Sequence, residues 1–221
     1  MRRALTFIEN VLRYHIKPFL PLFIISKLTN QFNQRDFDRW QKAGRPAPPP
    51  HYIKQMTIHE YQKKSGYTVL VESGTFLGDM VESQKKSFKK IVSIELAPLL
   101  FKKAKKRFQN DHNVTIVWGD SGEKLREILD DMDEPVILWL DGHYSAGVTA
   151  KGNKACPIYE EIDAIFDSVN RRDHMILIDD ARLFIGKNDY PEVNELTDYI
   201  QHKNGKYKAE VKDDIIRYCI E

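Results

Sequence analysis

The chain has 221 residues, 42% of them hydrophobic and 30% charged, which is enough apolar material for a sizeable core in one globular domain with an additional arm. Its 34 basic and 32 acidic residues leave a formal net charge of +2, without the strong basic excess of a general nucleic-acid binder. The two cysteines, Cys156 and Cys219, form neither a CxxC pair nor a zinc spacing, so a reduced, cytoplasmic protein is expected.

At the start of the chain, IKPFLPLFIISKL (16–28) is apolar but short, broken by Pro18 and Pro21 and flanked by Lys17 and Lys27. A spanning helix needs about 20 apolar residues, so no membrane crossing is expected. Arg2 and Arg3 before an apolar run suit a signal peptide, but no small-residue cleavage site follows cleanly. The segment is expected to be a helix packing on the domain or on a second subunit, with Phe19, Phe23 and Trp40 as candidate contacts of a homodimer. A membrane-surface contact is the alternative. AGRPAPPP (43–50) is a stiff, extended break. It divides an N-terminal helical arm with its Pro-rich linker, 1–50, from a domain over 51–221.

Beyond the break, strand and helix patterns alternate. YTVLVE (67–72), IVSIEL (91–96), VTIVWGD (114–120), PVILWLD (135–141) and HMILIDD (174–180) are short apolar runs of buried-strand type. Between them lie the helical patterns DMVESQKKSFKK (79–90), PLLFKKAKKRFQN (98–110), GEKLREILDDM (122–132) and PIYEEIDAIFDSVN (157–170). Pro157 stands near the first turn of the last of these, where proline is tolerated. PEVNELTDYIQHK (191–203) is a further helix. KYKAEV and IIRYCI, joined by KDD, read as a terminal hairpin. The alternation predicts an α/β fold: a Rossmann-like, seven-stranded, mostly parallel sheet with helices on both faces and an antiparallel C-terminal hairpin.

Ligands of such sheets sit beyond the carboxyl ends of the strands. Each of the first five runs closes on acid there: Glu72, Glu95, Asp120, Asp141, and the pair Asp179–Asp180. VESGTFLGD (71–79) joins the first strand to the first helix, and Gly74 and Gly78 allow a tight turn. Its spacing is ExGxxxG, neither the dinucleotide GxGxxG nor a Walker loop. Phe76 stands where a second glycine often sits. Glu95, 23 positions after Glu72, is placed to accept both hydroxyls of a ribose, and Asp120 to read an adenine edge.

Over 67–221 the chain resembles class I S-adenosylmethionine-dependent methyltransferases. The resemblance rests on VESGTFLG as the glycine motif, SIEL as the ribose acid, WGDSGEKL on the adenine side, and the terminal hairpin. It implies that Glu72, Ser73, Gly74, Gly78, Glu95, Asp120, Ser121 and Asp141 line the cofactor. Phe76 departs from the family's loop.

Asp141, Asp179 and Asp180 are expected to converge, because their strands are neighbours in a sheet of this order. Three carboxylates at one rim repel each other unless protonated or neutralised by a cation, and oxygen-only ligands suit a hard ion such as Mg²⁺. The pattern is similar to metal-dependent O-methyltransferases of the catechol and antibiotic-sugar types, which implies that these three acids hold the ion. An acceptor with adjacent hydroxyls, such as a small sugar or polyol, would chelate it and be activated. His143 is a candidate base, or else a loop hydrogen bond or substrate contact; Lys151 competes with it. Tyr144 and Arg182 are candidate substrate contacts, a surface salt bridge being the other reading of Arg182. The expected function is divalent-metal-assisted O-methyl transfer from S-adenosylmethionine. Its rivals are an NAD-linked oxidoreductase, disfavoured by the missing GxGxxG and the hairpin, and a non-catalytic module binding a cofactor or partner on the same fold.

Overall fold

A computed structural model describes residues 22–142, 156–170 and 172–220. The chain divides into two units, Met1–Pro46 and Ala47–Glu221. In the first, helix α1 (Leu22–Lys42) ends in a turn where Trp40 Nε1 donates to the Pro46 carbonyl at 2.8 Å, with the Arg45 guanidinium 4.9 Å from its ring centre. Among the described residues, no helix is long and apolar enough to cross a membrane.

The second unit begins with α2 (His51–Ser65), which has no counterpart among the elements expected above. Its buried stripe is narrow, Ile53, Thr57 and Ile58, so helical periodicity barely shows in the sequence. Its signals lie at the ends instead. Pro50 precedes the first turn, and Gly66 closes the helix in the left-handed conformation, its N–H returning to the Gln62 carbonyl.

The remaining elements are β1 (Val69–Ser73), α3 (Asp79–Gln84), β2 (Lys90–Glu95), α4 (Pro98–Arg107), β3 (Val114–Trp118), α5 (Ser121–Asp130), β4 (Ile137–Leu140), α6 (Ile158–Phe166), β5 (Met175–Ile178), α7 (Val193–Lys203), β6 (Tyr207–Lys212) and β7 (Ile215–Ile220). They form one seven-stranded sheet in the order β3-β2-β1-β4-β5-β7-β6. β7 pairs antiparallel with both β5 and β6, so it alone runs against the other six. This is the mostly parallel sheet with a reversed terminal hairpin that the sequence predicts.

Two expected helices end early, each for a local reason. α3 stops at Gln84 because the Asn113 amide takes over the carbonyls of Lys85 and Phe88, at 2.7 and 2.9 Å. α6 stops at Phe166; beyond it the Asp130 carboxylate accepts from Ser168 Oγ and Val169 N–H at 2.7 and 2.8 Å.

Successive strand residues face opposite sides. Val69 and Val71 of β1, with Leu138 and Leu140 of β4, pack against Leu125 and Leu129 of α5, Ile158 and Ile162 of α6, and Leu196 and Ile200 of α7. Leu70, Ile91, Ile137 and Trp139 meet Ile58 of α2, Val81 of α3 and Phe108 on the other side. β1 and β4 are buried along their whole length, which explains their unbroken apolar runs. β1 is also where the chain order reverses: β2 and β3 lie outward on one side, β4 and β5 on the other. The crevice at the carboxyl ends of β1 and β4 is therefore the topological switch point.

Candidate active site at the switch point

At that crevice the turn after β1 presses against the end of β4. The Asp141 N–H donates to the Ser73 carbonyl at 3.1 Å. Gly74 has φ +87°, and a Cβ there would lie 2.3 Å from the Asp141 carbonyl oxygen. Only glycine permits both the left-handed turn and this approach. Phe76 is also left-handed, at φ 50°, a conformation that costs a non-glycine residue of order 1 kcal/mol or more. Its N–H is thereby aimed at Glu95 Oε2, 2.7 Å away, while the ring is 47% exposed.

Glu95 ends β2, buried and already oriented. Oε2 accepts from Phe76 N–H and Oε1 from Ala97 N–H at 2.8 Å. Burial raises its pKa, and these backbone donors act in the opposite direction. Each oxygen keeps a lone pair, so the carboxylate is presented for two further donors. Glu72, fully buried, accepts from Ser93 Oγ, and burial pushes its carboxyl up to about 8. Asp120 caps α5, accepting from Gly122 N–H at 2.9 Å, which commits one of its oxygens to the helix.

On the α5–α6 side is a residue that sequence reasoning missed. Glu161 of α6 is fully buried, and among the described residues neither of its carboxylate oxygens has a hydrogen-bond partner; Ser73 Oγ is likewise unpartnered among them. All lie around the vacant side-chain position of Gly142: a Cβ there would be 3.1 Å from Glu161 Oε1, 3.1 Å from Ser73 Oγ and 3.3 Å from Ser121 Oγ. Burial pushes Glu161 up to about 7. The hydroxyls of Ser121 and Ser73 temper that rise without reaching hydrogen-bond geometry. A buried acid with hydrogen-bonding capacity unmet by the described residues calls for a further polar group beside Gly142. Its only trace in the sequence is the EE pair opening α6.

At the ends of β4 and β5 the three expected acids do converge: one oxygen from each of Asp141, Asp179 and Asp180 lies within 4.8 Å of the others. Asp180 is left-handed at φ 57°, which turns it back beside Asp179, whose Oδ1 accepts the Asp180 N–H at 2.7 Å. The second missed residue is Lys54 of α2. Its ammonium donates to Asp179 Oδ2 and, at 3.1 Å, to Asp180 Oδ1. Burial alone would lower the Lys54 pKa, but Asp179 and then Asp180 hold it raised. Asp141 is pushed well above the ordinary carboxylate range by desolvation first and then by the charge of Asp179. Burial also raises Asp179, to about 6, against the pull of Lys54. For Asp180 burial is outweighed by Lys54 and Arg182, and its pKa falls.

Arg182 takes the salt-bridge role. It donates to Asp180 Oδ1 at 2.9 Å and to Asp214 in the β6–β7 turn. The candidate bases His143 and Lys151, and Tyr144, lie outside the described residues.

No protein-family model matches the sequence, and no curated protein matches it. Solved structures do. The chain is similar to the O-methyltransferase TomG from Streptomyces achromogenes in complex with S-adenosylmethionine, with 14% identity over 85% of this chain and 88% of that one and a TM-score of 0.54. It is similar to the Bacillus cereus O-methyltransferase in complex with S-adenosylhomocysteine, with 14% identity, 86% and 90% coverage and a TM-score of 0.54. It is also similar to the S-adenosylhomocysteine-bound methyltransferase PaMTH1 of Podospora anserina, with 12% identity, 91% and 98% coverage and a TM-score of 0.53. At such identities the likeness is one of fold: the chain has the fold of these methyltransferases.

Proposed function

We propose that this protein is an S-adenosylmethionine-dependent O-methyltransferase acting on a small sugar- or polyol-like hydroxyl compound. The observation that carries the reading is the arrangement at the switch point. A glycine turn, a ribose-type acid with lone pairs to spare and a buried acid without a partner among the described residues surround one half of the crevice, and an acid rim closes the other. The antiparallel β7 speaks against an NAD-linked oxidoreductase.

The cofactor supplies an electrophilic methyl group on a sulfonium. Glu95 would take its ribose hydroxyls, Asp120 and Ser121 would face its adenine, and the Gly74–Gly78 turn would let it approach the backbone. Glu72, Glu161 and Asp141 hold their protons more tightly than ordinary acids in the ligand-free crevice, and a ligand carrying positive charge would favour their ionised forms. The acid rim would hold the acceptor, since carboxylates are acceptors for hydroxyl donors. His143, with Lys151 as its competitor, is proposed to take the acceptor's proton. Much of the rate would come from holding the two reactants in line.

A second reading adds a divalent ion, Mg²⁺, on Asp141, Asp179 and Asp180. The closeness of their oxygens favours it. Such an ion would supply Lewis acidity to the acceptor hydroxyl. Lys54 stands in the same place, and the two cations cannot share it.

The test is direct. The purified chain is titrated with S-adenosylmethionine by calorimetry, then incubated with it and a panel of sugars, polyols and catechols while S-adenosylhomocysteine is measured. Binding and acceptor-dependent product formation are expected, both reduced at least tenfold in Asp141→Asn. Binding of NAD⁺ in place of S-adenosylmethionine would sink the proposal, and tight cofactor binding without turnover on any acceptor would favour a non-catalytic module.

A further inference from the structure

The three carboxylates at the ends of β4 and β5 already have a cation among them, and it comes from outside the sheet. Lys54 lies in the first turn of α2, 125 residues before Asp179 in the chain, yet its ammonium contacts both Asp179 and Asp180. Its side chain is 14% exposed, against 0% and 19% for those two, so little water screens the contact. A six-coordinate Mg²⁺ holds its oxygens at about 2.1 Å, which sets neighbouring donors about 3–4 Å apart. The spread of the three acids, within 4.8 Å, is the size of one such seat. An ammonium bonded to two of the three donors excludes a divalent ion from it, because like charges so close and so poorly solvated repel strongly.

The seat does not depend on Lys54 for its shape. Asp179 Oδ1 is held by the Asp180 N–H, and Asp180 Oδ1, besides accepting from Lys54, accepts from Arg182, itself tied to Asp214. The acids are thus positioned by their own strand ends and the β6–β7 turn, while the cation arrives on a separate helix.

We propose that Lys54 is the resting occupant of this cation seat, and that a divalent ion binds there only by displacing its ammonium. The helix that opens the domain then controls which cation the acceptor site contains. This deepens the acceptor-site reading above, and the two fail separately: a chain with no methyl transfer that still shows the Lys54 dependence described next would refute only the former.

The experiment is a Mn²⁺ titration of the full chain, with free ion read by electron paramagnetic resonance. Lys54→Met and Lys54→Gln are each expected to bind one Mn²⁺ at least tenfold more tightly than the parent chain. Lys54→Arg, which keeps the charge, should bind as weakly as the parent. Adding Asp179→Asn to Lys54→Met should abolish the gain. Circular dichroism establishes that each variant is folded, and a Mn²⁺-induced rise in melting temperature, larger in Lys54→Gln than in the parent, gives a second readout. Equal affinities in parent and both neutral variants, absence of binding in all of them, or a gain that survives Asp179→Asn would overturn the proposal.

Discussion

Replacing Glu161 with glutamine tests the claim that this buried acid faces an unmet polar vacancy. Burial lifts its pKa from 4.5 to about 7. An acid that holds its proton more tightly folded than unfolded stabilises the fold least when both forms are ionised. Its contribution is intact below pH 4.5, declines as pH rises towards about 7, and is constant above that. At about 1.4 kcal/mol per pH unit, the gap amounts to roughly 3 kcal/mol between pH 4 and pH 8. The side chain is fully buried, so solvent does not discount the figure. Glutamine keeps the shape and cannot ionise. Urea denaturation of parent and Glu161→Gln without cofactor, at pH 4, 6 and 8, should show the variant gaining on the parent by about 3 kcal/mol across that range, roughly 6–12 °C in melting temperature for a domain of this size. Two stability curves running parallel, offset by a constant, would refute the reasoning: Glu161 would then ionise in the fold as freely as in the unfolded chain.

Three further outcomes are expected. Glu95→Gln removes the charge that strengthens two hydrogen bonds to a ribose; at about 1.5–3 kcal/mol for bonds to a charged group, S-adenosylhomocysteine should bind roughly 10- to 100-fold more weakly by calorimetry. Gly74→Ala places a Cβ 2.3 Å from the Asp141 carbonyl oxygen at φ +87°, so a loss of about 2 kcal/mol or more in denaturant unfolding should accompany weaker cofactor binding. If the divalent-ion reading holds, chelator-treated protein should lose turnover and regain it with Mg²⁺; turnover unchanged by chelator would leave Lys54 as the cation of the working site.

Much of this molecule was legible in the chain because its strands are buried on both faces. VLVES and ILWL read as strands without alternation since the sheet is covered on both sides, and each closes on acid at the end that meets the crevice. Local signals also set the turns: Asp120 caps α5, and the polar run KDD marks the hairpin. From strand–helix alternation and right-handed crossovers the parallel order followed, and with it the meeting of Asp141 with Asp179 and Asp180. What the tertiary structure alone decided is what faces those acids. Lys54 sits on a helix whose apolar stripe is too narrow to announce itself, and Glu161 is one acid among many until α6 docks and strips it of water. Lys54 owes its chemistry to carboxylates contributed by a distant segment, and Glu161 owes its own to burial against distant segments. Sequence pattern records which face of an element is buried; it does not record which charge a second element delivers to that face, because that depends on packing between elements far apart in the chain.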